Sequence, residues 1–81
     1  MDDARSVIRQ IVGSYAEISV GLESLGDGDD LFDLGMTSHA TVNVMLALEK
    51  HFDIEFPDSM LGRETFASIE TIADAVAELV R

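Results

Sequence analysis

The chain has 81 residues, which suffices for one domain with a modest core and leaves little room for a deep catalytic cleft. It contains no cysteine, which excludes disulfides and thiolate zinc sites, so any thiol chemistry needs a cofactor. Sixteen acidic residues against five basic ones give a net charge of −11, which argues against nucleic acid as a partner. Neither a signal peptide nor an apolar run of the ~20 residues that span a bilayer is visible, so we expect a cytoplasmic monomer without a membrane partner.

The first half of the chain predicts one helix and one long connection. Apolar residues spaced by three and four predict an amphipathic helix over roughly residues 3–17, and they are Ala4, Ile8, Ile11, Val12, Tyr15 and Ile18. The following segment, about residues 19–36, is rich in glycine and aspartate and predicts a loop. This loop also carries five apolar residues, Leu22, Leu25, Leu31, Phe32 and Leu34. A solvated linker would not need them, so the loop is predicted to pack back over the core.

The second half of the chain predicts three further helical segments. A helix from near Ser38 to about His51 would bury a stripe formed by Thr41, Val44, Met45, Leu48 and Phe52. Pro57 breaks the pattern, and one short helical turn is predicted over residues 58–61. The last helix is predicted to start at Ser68 as its N-cap, with an inward face formed by Ile69, Ile72, Ala73, Val76, Leu79 and Val80. The predicted fold is therefore all-α, a small four-helix bundle of three longer helices and one short helix, in a single domain over residues 1–81.

One segment has the character of a phosphate site. Gly35 allows a sharp turn, and Thr37 or Ser38 then opens the second helix. Ser38 is thereby placed where free backbone N–H groups and the positive end of the helix dipole converge, which suits a phosphate ester. Taken alone, this motif is more simply explained as an N-cap serine after a glycine turn.

The surroundings of Ser38 match one family pattern along nearly the whole chain. The matching runs are Asp30-Leu31-Phe32-Asp33-Leu34-Gly35-Met36-Thr37-Ser38, Met45-Leu46-Ala47-Leu48-Glu49, Phe52-Asp53-Ile54-Glu55-Phe56-Pro57-Asp58, Phe66-Ala67-Ser68-Ile69 and Thr71-Ile72. In these runs the chain resembles acyl and peptidyl carrier proteins, whose four-helix fold it shares in element order. The resemblance implies that a phosphopantetheinyl transferase moves 4'-phosphopantetheine from coenzyme A onto Ser38. The arm's thiol would then hold the cargo as a thioester.

Two departures from the family pattern flank Ser38. The family usually has an aspartate before the serine and often an apolar residue after it, whereas this chain has Thr37 and His39. The second helix also carries few acids, so its electrostatic contribution to partner binding is expected to be small. Thr37, His39, Val42 and Leu46 are the candidate docking residues. The alternative for Val42 and Leu46 is that they extend the core.

The departures resemble one branch of the family, the stand-alone aminoacyl carrier proteins. The branch-like runs are Leu34-Gly35-Met36-Thr37-Ser38 and Phe56-Pro57-Asp58-Ser59-Met60-Leu61-Gly62-Arg63, which leads into Phe66-Ala67-Ser68-Ile69. This resemblance implies an amino acid:carrier-protein ligase similar to the catalytic core of a class II aminoacyl-tRNA synthetase. Such a ligase would load a small amino acid such as glycine or alanine, and a downstream acceptor enzyme would receive it.

The sequence does not fit a calcium-binding EF-hand or a hydrolase. An EF-hand beginning at Asp27 fails because Phe32 stands at its glycine position and Ser38 at its bidentate glutamate position. Ser38 and His39 are adjacent on a helix and point about 100° apart, so they do not form a hydrolase pair. We therefore expect no catalytic residue and no metal site. A carrier for fatty-acid or polyketide synthesis and an acidic helical interaction module without a prosthetic group remain the alternatives.

Overall fold

Three α-helices and two 3₁₀ turns form the regular structure of this protein. The computed structural model describes residues 3–80, and no strand occurs among them. Helix α1 spans Asp3–Tyr15, α2 spans Ser38–Phe52 and α3 spans Ile69–Leu79, while the 3₁₀ turns span Leu22–Ser24 and Asp58–Met60. Within the described residues, no helix is both long and apolar enough to cross a bilayer. The prediction of an all-helical fold is confirmed.

The ends of the helices follow from local hydrogen bonds. Helix α1 ends two residues earlier than predicted because Glu17 adopts a left-handed conformation, with φ 58°. Helix α2 ends at Asp53, which is also left-handed and whose N–H donates to the Glu49 carbonyl. The predicted N-cap of α3 is confirmed, since the Thr71 N–H donates to Ser68 Oγ at 3.1 Å and the Ser68 N–H donates to Thr71 Oγ1 at 3.0 Å.

The predicted fourth helix is a single 3₁₀ turn. The Met60 N–H donates to the Pro57 carbonyl at 2.8 Å, and the Leu61 N–H donates to the Asp58 carbonyl at 3.2 Å. Both bonds have the i to i+3 spacing of a 3₁₀ helix. Pro57 has no N–H and Gly62 follows closely, so too few residues lie between them for an α-helix to propagate. The described residues therefore form three α-helices and two 3₁₀ turns, and the second of these turns lies where the short helical turn was predicted.

One core lies between the three helices. Helix α1 packs against both α2 and α3. The largest fully buried side chains come from all three helices and from the long loop, and they are Ile8, Leu31, Leu48, Ile69, Ile72, Val12, Val44 and Val76. Removing each such side chain from water contributes about 1.5–3 kcal/mol to folding.

The buried faces of the helices differ slightly from the predicted stripes. Ala40, rather than Thr41, takes the first fully buried position of α2, because the inward line runs through positions 40, 44 and 48 at i+4 spacing. Tyr15 and Val80 were predicted to face inward but are 46% and 52% exposed. Ala16, directly after Tyr15, takes the fully buried position instead, and Val80 stands just beyond the last residue of α3.

The long loop between α1 and α2 packs back over the core, as predicted. Leu25, Leu31 and Met36 are buried within it. The Leu31 N–H donates to the Ala67 carbonyl at 2.7 Å, and this bond ties the loop to the segment before α3. A second tie is Asp27, whose carbonyl accepts the Glu70 N–H at 2.9 Å. The loop therefore holds the start of α2 in a defined place.

The carboxylate of Asp27 joins the loop to α1 as well. Arg5 donates to one carboxylate oxygen at 2.9 Å, and Arg9 donates to the other. Arg9 also donates to the Leu25 carbonyl at 2.7 Å. The hydrogen bond from Arg5, together with that from Arg9, holds the pKa of Asp27 below its ordinary value. Two of the few basic residues are thus occupied with a structural role.

Candidate functional site

The turn before α2 is shaped by Asp30 and Gly35. The Phe32 N–H donates to Asp30 Oδ1 at 2.9 Å, and the Gly35 N–H donates to the Phe32 carbonyl at 3.1 Å. Gly35 has a φ of 111°, a conformation that side chains rarely adopt. The Met36 N–H then donates to the Leu31 carbonyl at 3.0 Å, so the chain is led directly from the core into α2.

Ser38 is the first residue of α2, and its side chain is exposed. Thr37 is the N-cap, and its hydroxyl accepts the Ala40 N–H at 3.1 Å. Within the described part of the chain, neither the N–H nor the hydroxyl of Ser38 has a hydrogen-bond partner, and the N–H of His39 has none either. The hydroxyl thus stands free beside unused donors at the positive end of the helix dipole.

The other candidate residues lie around Ser38. Val42 and Leu46 follow it at i+4 and i+8, so the three residues share one face of α2. Val42 is 48% exposed and Leu46 is 52% exposed, which rules out the alternative that they extend the core. Thr37 and His39 are exposed directly beside Ser38. The four predicted docking residues therefore surround the serine, as an apolar strip with a polar end.

A surface groove of about 290 Å³ opens beside Ser38. One wall belongs to α2, and the opposite wall belongs to the loop and to the segment after the second 3₁₀ turn. Its lining residues are Phe32, Ser38, Thr41, Val42, Leu61, Gly62, Arg63 and Phe66. None of these described residues is acidic, although the chain as a whole has a net charge of −11. The serine is therefore on the edge of a mainly apolar groove that contains one cation.

That cation, Arg63, rests on an aromatic ring. Its guanidinium carbon lies 4.1 Å from the centroid of the Phe32 ring. Phe66, also in the groove, is buried and makes an edge contact with Phe56, with ring centroids 5.3 Å apart. The contact between these two rings holds the wall of the groove against the core.

Sequence reasoning missed Leu61 and Arg63 as parts of the site. In the sequence, Leu61 looks like any apolar residue of a short helical turn. The structure shows that it is 44% exposed. Arg63 is an isolated basic residue in an acidic chain, immediately after Gly62, and this isolation was the signal available. Only the fold shows that both residues face Ser38 across a groove.

A match to known proteins agrees with this site. Residues 6–77 match the family described as "Phosphopantetheine attachment site". The chain belongs to this family. It therefore carries 4'-phosphopantetheine covalently, which removes the alternative of an interaction module without a prosthetic group.

Members of the phosphopantetheine-attachment family with assigned roles are similar to this chain over most of its length. An aminoacyl carrier protein of Agrobacterium fabrum is 41% identical over 71 residues, which cover 88% of this chain and 86% of that protein. A carrier protein from Agrobacterium tumefaciens, solved with an engineered Bradyrhizobium japonicum glycine:[carrier protein] ligase and ATP, is similar with a TM-score of 0.88 and 39% identity, over 93% of this chain and 97% of that one. A third similar structure, of Bradyrhizobium japonicum glycine:[carrier protein] ligase with glycylated carrier protein, has a TM-score of 0.76 and 31% identity, over 90% of this chain and 99% of that one.

The residues around Ser38 fit a phosphopantetheinyl group. The serine hydroxyl is exposed and has no competing hydrogen bond among the described residues. Unused N–H groups at the α2 N-terminus favour a phosphate, and the neighbouring groove contains no carboxylate that would repel it. The exposed side chains of Val42 and Leu46 lie on the same face of α2 as Ser38.

Proposed function

We propose that this protein is an aminoacyl carrier whose Ser38 is the attachment point of 4'-phosphopantetheine. The observation that carries this proposal is the free, exposed hydroxyl at the first position of α2, on the edge of an acid-free groove. When attached, the arm supplies the thiol that the chain lacks and holds the cargo as a thioester. Residues of the chain fix where the arm begins, because the Gly35 turn and the Thr37 cap hold α2 in place.

The proposed cargo is a small amino acid loaded by a separate ligase. Support comes from the Agrobacterium and Bradyrhizobium relatives, which are an aminoacyl carrier and carriers in complex with glycine:[carrier protein] ligase. The structure adds a physical argument, since the space beside Ser38 is an open surface groove, whereas the interior positions of α2 are fully buried against other helices. A small aminoacyl group needs no interior cavity, whereas a fatty-acid carrier would have to shield a long chain from water.

The loading and acceptor enzymes are proposed to dock on the face that Ser38 shares with Val42 and Leu46. These side chains offer exposed apolar area beside the arm, and Thr37 and His39 offer polar contacts at its end. Tethering raises the effective concentration of the cargo at a docked active site, so docking can remain weak and reversible. The transferase that modifies Ser38 must reach the same end of α2.

We infer further that residues 1–81 act as one carrier domain without catalysis of its own. The buried residues of all three helices and of the loop form one continuous cluster, which supports a single domain. Ser38 and His39, the one pair that could suggest a hydrolase, make no hydrogen bond with each other within the described structure. Coenzyme A and ATP, on which modification and loading would depend, are cytoplasmic metabolites, and this supports a cytoplasmic location.

The test is mass spectrometry after exposure to coenzyme A and a broad-specificity transferase. We expect one phosphopantetheinyl group on the wild-type protein and none on Ser38→Ala. Ser14→Ala, at an exposed position of α1, is the matched control and should be modified normally. Addition of ligase, ATP and glycine should then add one glycyl group that hydroxylamine removes, as expected for a thioester. Modification of Ser38→Ala, or uptake of fatty acyl groups with no amino acid accepted, would contradict the attachment site or the cargo respectively.

A further inference from the structure

Arg63 is distinguished from the other basic residues by its surroundings. Arg5 and Arg9 are bound to Asp27, and Lys50 lines a separate groove together with Tyr15. Arg63 alone among the described lysine and arginine residues lines the groove that contains Ser38. The only Lys or Arg among the lining residues of that groove therefore shares it with the hydroxyl on which a phosphate is proposed.

The positive charge of the Arg63 guanidinium is not paired with an acidic side chain in the described residues. The guanidinium forms no ion pair and donates no hydrogen bond there, and its contact is with the face of the Phe32 ring. Stacking on an aromatic face leaves the edge donors of a guanidinium free, and their fork geometry matches two phosphate oxygens. The Arg63 side chain is thus oriented without being neutralised.

Hydrogen bonds from backbone N–H groups hold both parts of this arrangement. The Phe66 N–H donates to the Arg63 carbonyl at 3.2 Å, and the Thr65 N–H donates to the Gly62 carbonyl at 3.2 Å. Phe32 is positioned by the bond from its N–H to Asp30. The ring and the cation are consequently brought together by two separate turns, on the wall of the groove opposite α2.

We infer that Arg63 binds the phosphodiester on Ser38, and that the groove between Val42 and Leu61 receives the first part of the arm. This inference rests on the attachment proposed above. The charge argues for this occupant, because a phosphodiester adds a negative charge to a chain of net charge −11 and Arg63 is the cation available beside it. Val42 and Leu61, 48% and 44% exposed, supply apolar contacts for the arm's first carbons. In the free holo-protein the arm would then lie along the protein surface until a partner enzyme draws it out.

Because the chain has no cysteine, a thiol-specific probe can be attached to the arm alone. A maleimide nitroxide reacts only with the arm's thiol in holo-protein, since the chain itself has no thiol. We would compare wild type, Arg63→Gln and Lys50→Gln, which removes the same charge from the other groove. Both residues are exposed, so both variants should fold, as an unchanged spectrum of core methyl groups would verify.

Nuclear magnetic resonance then gives two readouts. Conversion of apo- to holo-protein should shift the Nε–H resonance of Arg63 in wild type and in Lys50→Gln. The nitroxide should broaden the methyl signals of Val42 and Leu61 in those two proteins, and Arg63→Gln should lose most of this broadening. An unshifted Arg63 resonance, equal broadening in Arg63→Gln, or a shift seen only after a ligase is added would overturn the inference.

The proposed function and this inference fail in different ways. A protein that gains no mass from coenzyme A and a transferase contradicts attachment at Ser38, and this is known before any resonance is recorded. A protein that is modified at Ser38 and loads glycine, yet shows no Arg63 shift, contradicts only the phosphodiester contact.

Discussion

The side chain of Glu49 accepts the backbone N–H of Phe56 through Oε2 at 2.9 Å. This bond joins the last turn of α2 to the segment that follows it, and Phe56 is buried with its ring against Phe66. Glu49 is the sole acidic residue of α2. Its carboxylate accepts a hydrogen bond from the segment after α2 and is therefore turned to that segment. The proposed docking residues of α2 include no acidic side chain.

Replacing Glu49 tests this structural role. Glu49→Ala removes the acceptor from a partly buried N–H and should lower the free energy of unfolding by about 1–2 kcal/mol. Glu49→Gln keeps an oxygen acceptor at the same position and should lose less. Urea unfolding followed by helical circular dichroism measures both. A smaller effect of Glu49→Ala than of Glu49→Gln would contradict the assignment, and ligase loading should be unchanged in the folded fraction of either.

The cap at Thr37 gives a second prediction. Thr37→Ala leaves the Ala40 N–H without its acceptor and should cost about 1 kcal/mol, which corresponds to roughly 4–8 °C in Tm for a domain of this size. Thr37→Ser retains the hydroxyl and is the matched control, with a Tm near that of wild type. Differential scanning calorimetry checks both, and equal Tm values for Thr37→Ala and wild type would show that the cap adds nothing.

The docking face predicts a loss of loading without a loss of stability. Leu46→Ala should change the free energy of unfolding by at most about 0.5 kcal/mol because its side chain is 52% exposed. It should raise the KM for ligase loading about tenfold if Leu46 contributes ~1.4 kcal/mol to docking.

The contribution of Val42 to docking can be tested in the same way, with Val80 as the control residue. Val42→Ala should raise the KM for loading, whereas Val80→Ala, at an equally exposed valine of the α3 end, should leave it unchanged. A KM for Val42→Ala equal to that of wild type would remove Val42 from the docking face. A matching rise in both would point to a general effect of surface apolarity.

Asp27 predicts a dependence of stability on pH. The folded state holds the pKa of Asp27 below its ordinary value of 3.8, through the hydrogen bond from Arg5 and that from Arg9. A lowered pKa means that this contribution is fully present above the ordinary value and is lost as the pH falls through it toward the folded pKa. Asp27→Asn should therefore be less stable than wild type near neutral pH, and the Tm difference should shrink below about pH 4. A Tm difference that is constant down to about pH 2.5 would contradict this linkage.

The sequence predicted the helices well because each has a strong local signal. The i, i+4 line through Val44 and Leu48 marks the buried side of α2, and Ser68 with Thr71 forms a cap that a single short motif specifies. Ser38 was singled out only together with the family-like runs around it, because a glycine turn followed by a helix start fits a plain N-cap serine equally well. These features depend on neighbours in the chain and so can be read from it directly.

The errors in the sequence prediction lie where local signals are weak. The short helical turn predicted over residues 58–61 is a 3₁₀ turn, a type that the sequence did not specify, because too few residues lie between Pro57 and Gly62 for an α-helix. Tyr15 has the right spacing for the core, yet the neighbouring Ala16 takes the fully buried position and Tyr15 stays 46% exposed in a groove beside α2. The spacing of apolar residues predicts which side chains share one face of a helix. It does not predict which of them are covered by the rest of the protein.

The sequence alone determined the all-helical fold, the serine at the start of α2 and the net charge of −11. These depend on the order and chemistry of neighbouring residues. Only the tertiary structure decided that Arg63 lies over Phe32 and faces Ser38 across a groove, and that Glu49 serves the backbone of Phe56. Arg63 is far from Phe32 and Ser38 along the chain, and they meet only because the buried core holds the long loop and the segment after α2 together.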